Sequence, residues 1–496
     1  MHTGQTHDAP ASTSQIETTA GGRLLIAVLL VATFVVILNE TILSVALPRL
    51  MSDLSIAASS AQWLTSGFLL TMAIVIPVSG YILQRFAIRP IFVIAMSLFS
   101  SGTLLSALAP GFEVLLAGRV VQAMGTGLMF PLLITTVLNV VPAHARGRMM
   151  GMISVVISVA PALGPTISGL VLQALSWRAM FWLVLPISLT ALVLGAILVR
   201  NVTEPRPAYL DLPSVVLSAL AFGGLVYGLT LIGEAAGGHA PITPAVPITV
   251  GLISLVTFVL RQRILVRTDR ALLDLRPFGR LPFSIAVALL CVIMLTLFGS
   301  LILLPLYMQN VLGEDTLTTG LALLPGGIVM GLLAPIVGNL FDRFGPRGLV
   351  LPGTLALTAG MWILATLGVE SSLRTVIAGH VILSCGIAFA LTPLMTTSLG
   401  SLPRELYSHG SAIVSTLQQL AGAAGTALFI TMMARGIRTA DAEGSEVVVA
   451  NADGIHSALV IGGFISLLAV AGSLALMKIR LEKSERRITT SSQILE

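Results

Sequence analysis

The sequence predicts an all-α integral membrane protein: two repeated six-helix halves with two further helices between them, about fourteen spans in all. Three observations predict this class. Hydrophobic residues make up 55% and charged residues 10% of the 496-residue chain, whose mean hydropathy is +0.98. That excess is spread along the chain instead of being gathered in one anchor. Apolar runs of the roughly 20 residues needed to cross a hydrocarbon core recur from residue 24 to residue 477. Motifs of the first half also return, in order, in the second.

The runs lie at 24–47, 61–83, 90–109, 112–141, 149–174, 179–199, 213–234, 242–260, 283–309, 318–341, 348–369, 373–400, 408–434 and 455–477. Residues 1–22 are polar, rich in Ser and Thr, and carry no basic cluster ahead of an apolar core. They read as a disordered cytoplasmic tail and not as a cleaved signal peptide. Residues 23–200 then form the first half, 201–280 two extra spans and a cytoplasmic linker, 281–477 the second half, and 478–496 a basic cytoplasmic tail. With the N-terminus inside, only Arg49, Arg178, Arg374, Arg435 and Arg438 face outside and Arg119 lies in the membrane; the other basic residues are cytoplasmic. An even number of spans returns the C-terminus to the same side.

Net charge is +5 and the pI about 9.7, but the basic residues are dispersed among short loops, which argues against nucleic-acid binding. The longest basic loop, RQRILVRTDRALLDLRPFGR, reads as an amphipathic linker or, more sharply, as a contact for anionic lipid. Cys291 and Cys385 each stand alone in an apolar run and support neither a disulfide nor a metal site. No Walker loop, zinc motif, nucleophile elbow or dinucleotide fingerprint occurs in a suitable context. An enzyme or an ATP-driven pump is therefore not expected, and neither is a cofactor beyond a proton gradient.

The repeat is visible in AGRVVQAMGTG from Ala117 and AGHVILSCGIA from Ala378, an offset of 261 residues. At the same offset Thr135 meets Thr396, Pro142 meets Pro403, Ser154 meets Ser415 and Gly164 meets Gly425. A second pair, GYILQRFAIRP from Gly80 and GNLFDRFGPRG from Gly338, follows the second span of each half. These inside loops offer Gly80, Gln84 and Arg85, and Gly338, Asp342, Arg343, Gly345 and Arg347, as gating residues. In the second loop two readings stand: a carboxylate that binds basic groups or a helix N-terminus when the inside is closed, or an ordinary solvated turn.

Charges at mid-bilayer cost about 2.5 to 3.5 kcal/mol on insertion scales, so each needs a partner or a task. Glu40 in the first span and Arg119 in the fourth lie at similar depth, about 10 Å below the outer boundary. An ion pair between them is compatible with that depth. Thr33, Glu40 and Ser44 share one helical face, as do Arg119, Gln122 and Thr126. Two readings stand: a fixed pair that only orients two helices, or a carboxylate that exchanges a proton as its surroundings change. His380 occupies the repeat position of Arg119 and is a second proton-coupling candidate, with hydrogen-bonded packing or ligand contact as its alternatives. Glu40 has no twin in the second half. Asn39, Ser44, Gln122 and, on the thirteenth span, Gln418 are candidate cavity residues. The fifth span concentrates Gly and Pro in APALGPTISG, read either as a flexing seam or as ordinary membrane packing.

Together these motifs resemble the major facilitator superfamily, and within it the fourteen-span drug:proton antiporters of the EmrB and QacA type. LNETILSVALP looks like their first-span signature, RVVQAMGTG their fourth-span motif and GPTISG their antiporter motif. Asn39 stands where the first-span acid usually falls and Glu40 follows it, a pattern similar to the LmrB-like lincomycin-resistance branch. Gln84 and Ala87 replace an expected Asp and Gly in the first-half loop, and the fifth-span motif ends in Ser168-Gly169 instead of two glycines. The resemblance implies the major facilitator fold and alternating-access efflux of small amphipathic compounds in exchange for protons, in a bacterial inner membrane. It implies that Arg119 is linked to the proton site and that Pro161, Gly164, Pro165 and Gly169 form the antiporter motif. Asp342 and Arg343 would gate the inside, and Met124 and Met129 would be adaptable cavity residues. The partners it implies are substrate, protons and membrane lipids, with no obligate protein partner. Export or flipping of an endogenous lipid, peptide or metabolite is the alternative within transport; a non-transporting receptor or scaffold is the alternative outside it.

Overall fold

The computed structural model describes residues 20–43, 46–56, 58–201, 205, 209–236, 242–268 and 270–495, and among these there is no β-strand. The first half comprises α1 (Ala20–Ile42), a short α2 (Leu47–Leu54), α3 (Ala58–Arg85), α4 (Ile88–Ala107), α5 (Phe112–Val140), α6 (Arg146–Ala174) and α7 (Arg178–Leu198). One inserted span is α8 (Leu212–Ser218), joined through a π-helical turn at Ala219–Gly223 to α9 (Gly224–Ala236); the other is α10 (Ala245–Leu265). The second half is α11 (Leu281–Asn310), α12 (Thr316–Phe344), α13 (Arg347–Leu364), α14 (Leu373–Gly400), α15 (Tyr407–Ala442) and α16 (Val447–Leu495). Thirteen spans are long and apolar enough to cross a bilayer, and the shorter α13 brings the described total to fourteen.

Expected and observed boundaries differ most at the first span. It was expected over 24–47, but α1 closes at Ile42 and a separate eight-residue helix begins at Leu47. Pro48 in the first turn of α2 is the reason: its fixed φ and missing N–H suit a helix start and oppose continuation of α1. Glu40 therefore sits in the last turn of α1, and Ser44 lies outside the described residues. At the other end of the chain α16 continues through Leu495, across the segment expected as a basic tail. Helix starts are capped where the sequence allows: Asp315 Oδ1 accepts from Thr318 N–H at 2.6 Å at the head of α12, and Ser372 caps α14. The bonds to Thr318 hold the Asp315 carboxyl below its usual range.

The outer surface confirms what solvates it. Ile197 on α7 is 69% exposed and Ile253 and Ile264 on α10 are 63% and 68% exposed, which would be an aggregation surface in water and is the ordinary face of a helix in lipid. Since lipid is as apolar as these side chains, close packing must hold the helices together. The sequence repeat is reproduced in that packing. A β-carbon at Gly164 would overlap Thr41 of α1, and one at the repeat-equivalent Gly425 would overlap the Leu295 carbonyl of α11. Each half thus brings its fifth span against its first through the same glycine.

The halves meet along α6 and α12, with α3 against α15, and α9 packs on both α15 and α3. At the basic end of the bundle the inserted spans are tied to the linker. Arg261 of α10 forks onto Asp211 at 2.7 and 2.8 Å, Asp211 caps α8 through Ser214, and Gln262 bridges Ser214 Oγ to the Leu273 N–H. Asp274 in turn holds Arg276, and its N–H donates to His409 Nδ1 of α15 at 3.3 Å. Arg261 and Arg276 of the basic linker are therefore engaged by protein carboxylates, while Arg263 and Arg267 stay exposed.

The Asp211 carboxyl, hydrogen-bonded first by Arg261 and then by Ser214, is pulled from an ordinary 3.8 down to about 2. A depressed folded-state value contributes stability above the unfolded value, lost as pH falls from about 4 toward 2. Asp211→Asn is therefore expected to cost about 1–2 kcal/mol, uniformly between pH 5 and pH 8. Thermal unfolding of the detergent-solubilised variant and parent across that range checks it; a difference that varies with pH there would contradict the assignment.

Candidate functional cavity

A cavity of about 150 Å³ lies between the halves, well beyond the volume of a single water. Its lining comes from α1 and α3, from α5 and α6, and from α11, α12, α14 and α15. Met72, Phe130, Met294, Phe298 and Met330 make most of it apolar, and a few polar groups converge among them, the composition of small-molecule sites. Among the described residues Glu40 is the only acid and His380 the only histidine in the lining, and no Lys or Arg contributes. The two face the cavity from different halves.

No ion pair joins Glu40 to Arg119 among the described residues. Arg119 is fully buried and spends its donors elsewhere: Nε on the Leu64 carbonyl at 3.3 Å, Nη1 on the Asn39 carbonyl at 3.4 Å and on Gln122 Oε1 at 3.0 Å. The Phe68 ring lies 4.1 Å from its guanidinium carbon. The residue thus straps α5 to α1 and α3 and acts on Glu40 through its field and not by contact. One residue along a helix is a turn of about 100°. Asn39 is fully buried at the level of Arg119, with neither polar side-chain atom partnered, and its neighbour Glu40 is rotated onto the cavity wall.

Of the expected cavity residues, Gln418 lines the space with Glu40 and His380, and Ser44 lies outside the described residues. Four are placed elsewhere. Asn39 is buried between helices, and Gln122 is fully buried, donating to Thr103 Oγ1 of α4 at 2.8 Å. Met124 is 39% exposed on the outer face of α5 and Met129 is sealed in the hydrophobic core. The methionines that do line the cavity are Met72, Met294 and Met330, from α3, α11 and α12. Ser415, the repeat partner of Ser154, lines the cavity; Gln419, adjacent to Gln418, does too, and the doubled amide in LQQLAG was its signal. Thr33 and Thr126 also line it.

The antiporter-motif residues divide. Pro161 lines the cavity and Gly164 packs on Thr41, directly after Glu40, whereas a β-carbon at Gly169 would meet nothing within 4 Å. The close seam therefore ends before Gly169. Nothing is described of the Pro165 side chain.

Below the cavity, at the basic end, the halves are latched. Asp342, in the last turn of α12, accepts from the N–H groups of Gly147 and Arg148 at 2.8 and 2.9 Å, the first turn of α6. Gly147 and Gly338 make this approach possible, since a β-carbon on either would overlap the other helix. Gln84, the equivalent residue at the end of α3, donates to Ser408 Oγ at the start of α15 at 3.2 Å. Gly80 faces His409 there, and Arg146 Nη1 donates to Tyr407 Oη at 2.9 Å. Gly345 ends α12 with φ +69°, a left-handed value that favours glycine. Arg85 and Arg343 are exposed and bridge nothing among the described residues; the Arg347 side chain is not described.

Comparison with known proteins agrees with this architecture. The sequence model of the Major Facilitator Superfamily matches residues 29–426. The lincomycin resistance protein LmrB of Listeria monocytogenes is 41% identical over 473 residues, 94% of this chain and 99% of that one. The multidrug resistance protein B homolog of Mycobacterium tuberculosis is 30% identical over 398 residues, 80% of this chain and 73% of its own length. Among solved structures the human organic anion transporter MFSD10 superposes with a TM-score of 0.63 at 14% identity, covering 90% of this chain and 100% of that one, a likeness of fold alone. The chain belongs to the Major Facilitator Superfamily and is a multi-pass transporter of the bacterial inner membrane, not an enzyme.

Proposed function

We propose that this transporter exports small amphipathic compounds in exchange for protons by alternating access, with its basic end in the cytoplasm. The observation that carries the reading is Glu40: one carboxylate, in no ion pair among the described residues, on the wall of a largely apolar cavity between two halves. A charge so placed is costly unless it is neutralised by a proton or met by a cation, so the two compete for it. The neighbouring Thr41–Gly164 contact couples the state of that turn to α6, which forms the seam with α12. Rocking about this seam exposes the cavity to either side in turn. The names of the relatives, resistance to lincomycin and to multiple drugs, support an outward direction and an amphipathic cargo.

Reconstituted in liposomes with an acidic lumen, the protein is expected to accumulate lincomycin above the level in protein-free liposomes and to raise lumenal pH as it does so. Collapsing the pH gradient should remove that excess. Accumulation indifferent to the gradient would sink the proton-coupled reading.

A further inference from the structure

We infer that the cavity selects amphiphiles bearing a hydroxyl or N–H group beside an oxygen acceptor, read by unpartnered polar atoms of His380, Gln418 and Thr33. This deepens the export reading and rests on it for the direction of transport.

The argument begins with polar atoms that the fold leaves unpaired. Buried polar atoms are nearly always hydrogen-bonded, because an unmet donor or acceptor forfeits its bond to water. Yet Thr33 Oγ1, His380 Nδ1 and Gln418 Nε2 are buried without a partner, and all three residues line the same cavity. His380 is 6% exposed and Thr33 fully buried, so neither is relieved by bulk solvent.

The position of His380 is built. The ring lies beside the Leu323 backbone of α12, and Nδ1 is a buried ring nitrogen with no partner among the described residues; in the neutral Nε2–H tautomer it accepts a hydrogen bond. Gly326 of α12 makes room for the ring, since a β-carbon there would overlap Cδ2 and Nε2. Nδ1 is the vertex opposite that edge and points away from α12. A ligand that gives an O–H or N–H to Nδ1, and offers an oxygen to the Gln418 amide, satisfies what the fold leaves open. The Thr33 hydroxyl serves as donor or acceptor. An apolar cation without donors satisfies none of these atoms and meets only Glu40. A site built around hydrogen-bonding groups rejects analogues that lack them, because its own atoms then stay unpaired.

The test uses the full chain in lipid nanodiscs and calorimetric binding of two probes. Propranolol carries a hydroxyl and an amine N–H on an apolar body; tetraphenylphosphonium is an apolar cation with neither. His380→Ala is expected to raise the Kd for propranolol roughly tenfold relative to that for tetraphenylphosphonium. Gln418→Met and Gly326→Ala, which remove the amide and displace the ring, should shift the ratio in the same direction. His380→Asn, which restores an acceptor, should recover part of it. Equal losses for both probes, an unchanged propranolol Kd, or wild-type protein that binds neither would overturn the inference. Selective binding that persists where the proton-driven accumulation assay fails would instead remove the export reading and leave this one standing.

Discussion

Glu40→Gln is expected to abolish proton-driven accumulation while the protein still folds and binds. The substitution keeps the shape of the side chain and removes its charge and its titration. Because Glu40 is the only acid lining the cavity among the described residues, no other carboxylate described there is placed to take over the exchange. Accumulation of substrate by reconstituted protein under a pH gradient should fall to the level of protein-free liposomes, and substrate-driven proton movement should vanish with it. Binding of tetraphenylphosphonium should weaken by roughly tenfold, as the favourable field of a carboxylate is lost. Substrate-driven proton movement that survives the substitution would remove Glu40 from the role. Combining it with Arg119→Gln separates the two residues: no hydrogen bond or ion pair joins Arg119 to the carboxylate among the described residues and it acts only through its field, so their interaction energy in binding should be modest, about 1 kcal/mol or less. A large interaction energy would point to a direct pair formed in another conformation.

The second large effect is expected at the basic-end latch. Asp342 accepts two backbone N–H groups at the start of α6, where the helix dipole adds to the attraction of a negative charge. Charge-assisted bonds contribute about 1.5–3 kcal/mol each, so Asp342→Ala should shift the balance away from the closed basic end by about 3 kcal/mol, roughly a hundredfold in population. Gln84→Ala removes a single neutral bond to Ser408 and should shift it by about 1 kcal/mol, roughly fivefold. Spin labels at the exposed positions Arg85 and Arg404, in a chain freed of Cys291 and Cys385, report the separation of the halves at that end. A distance distribution unchanged by Asp342→Ala, or equal shifts from both substitutions, would refute the unequal latch.

Much of the architecture was legible before any coordinates. Each apolar run corresponds to one described span, because spanning a hydrocarbon core demands length and apolarity whatever the neighbours are. The repeat was equally legible, since Gly164 and Gly425 answer the same need for close approach to the first span of each half. Sequence also singled out Glu40, Arg119 and His380, because an ionisable group in an apolar run stands out by its cost. The division of the first run at Pro48 was written in the sequence but outweighed by the unbroken hydrophobicity around it.

Which neighbours those groups meet was another matter. Equal depth allowed Glu40 and Arg119 to pair, but the distance between two side chains depends on the rotation of two helices, and helical periodicity sets that only relative to each helix's own axis. The same limit explains why Gln122, Met124 and Met129 of α5 point to α4, to the outer surface and to the core, while Met72, Met294 and Met330 come from three other helices to line the cavity. By itself the sequence determined the spans, the two-fold repeat and the identity of the rare intramembrane charges, which follow from local composition or internal comparison, while the transporter class came through the resemblance of its motifs to a known family. Only the tertiary structure decided that Asn39 is enclosed near Arg119 and Glu40 faces the cavity with His380 and Gln418. Contacts between helices far apart in the chain are fixed by how whole surfaces pack, and no single segment carries that information.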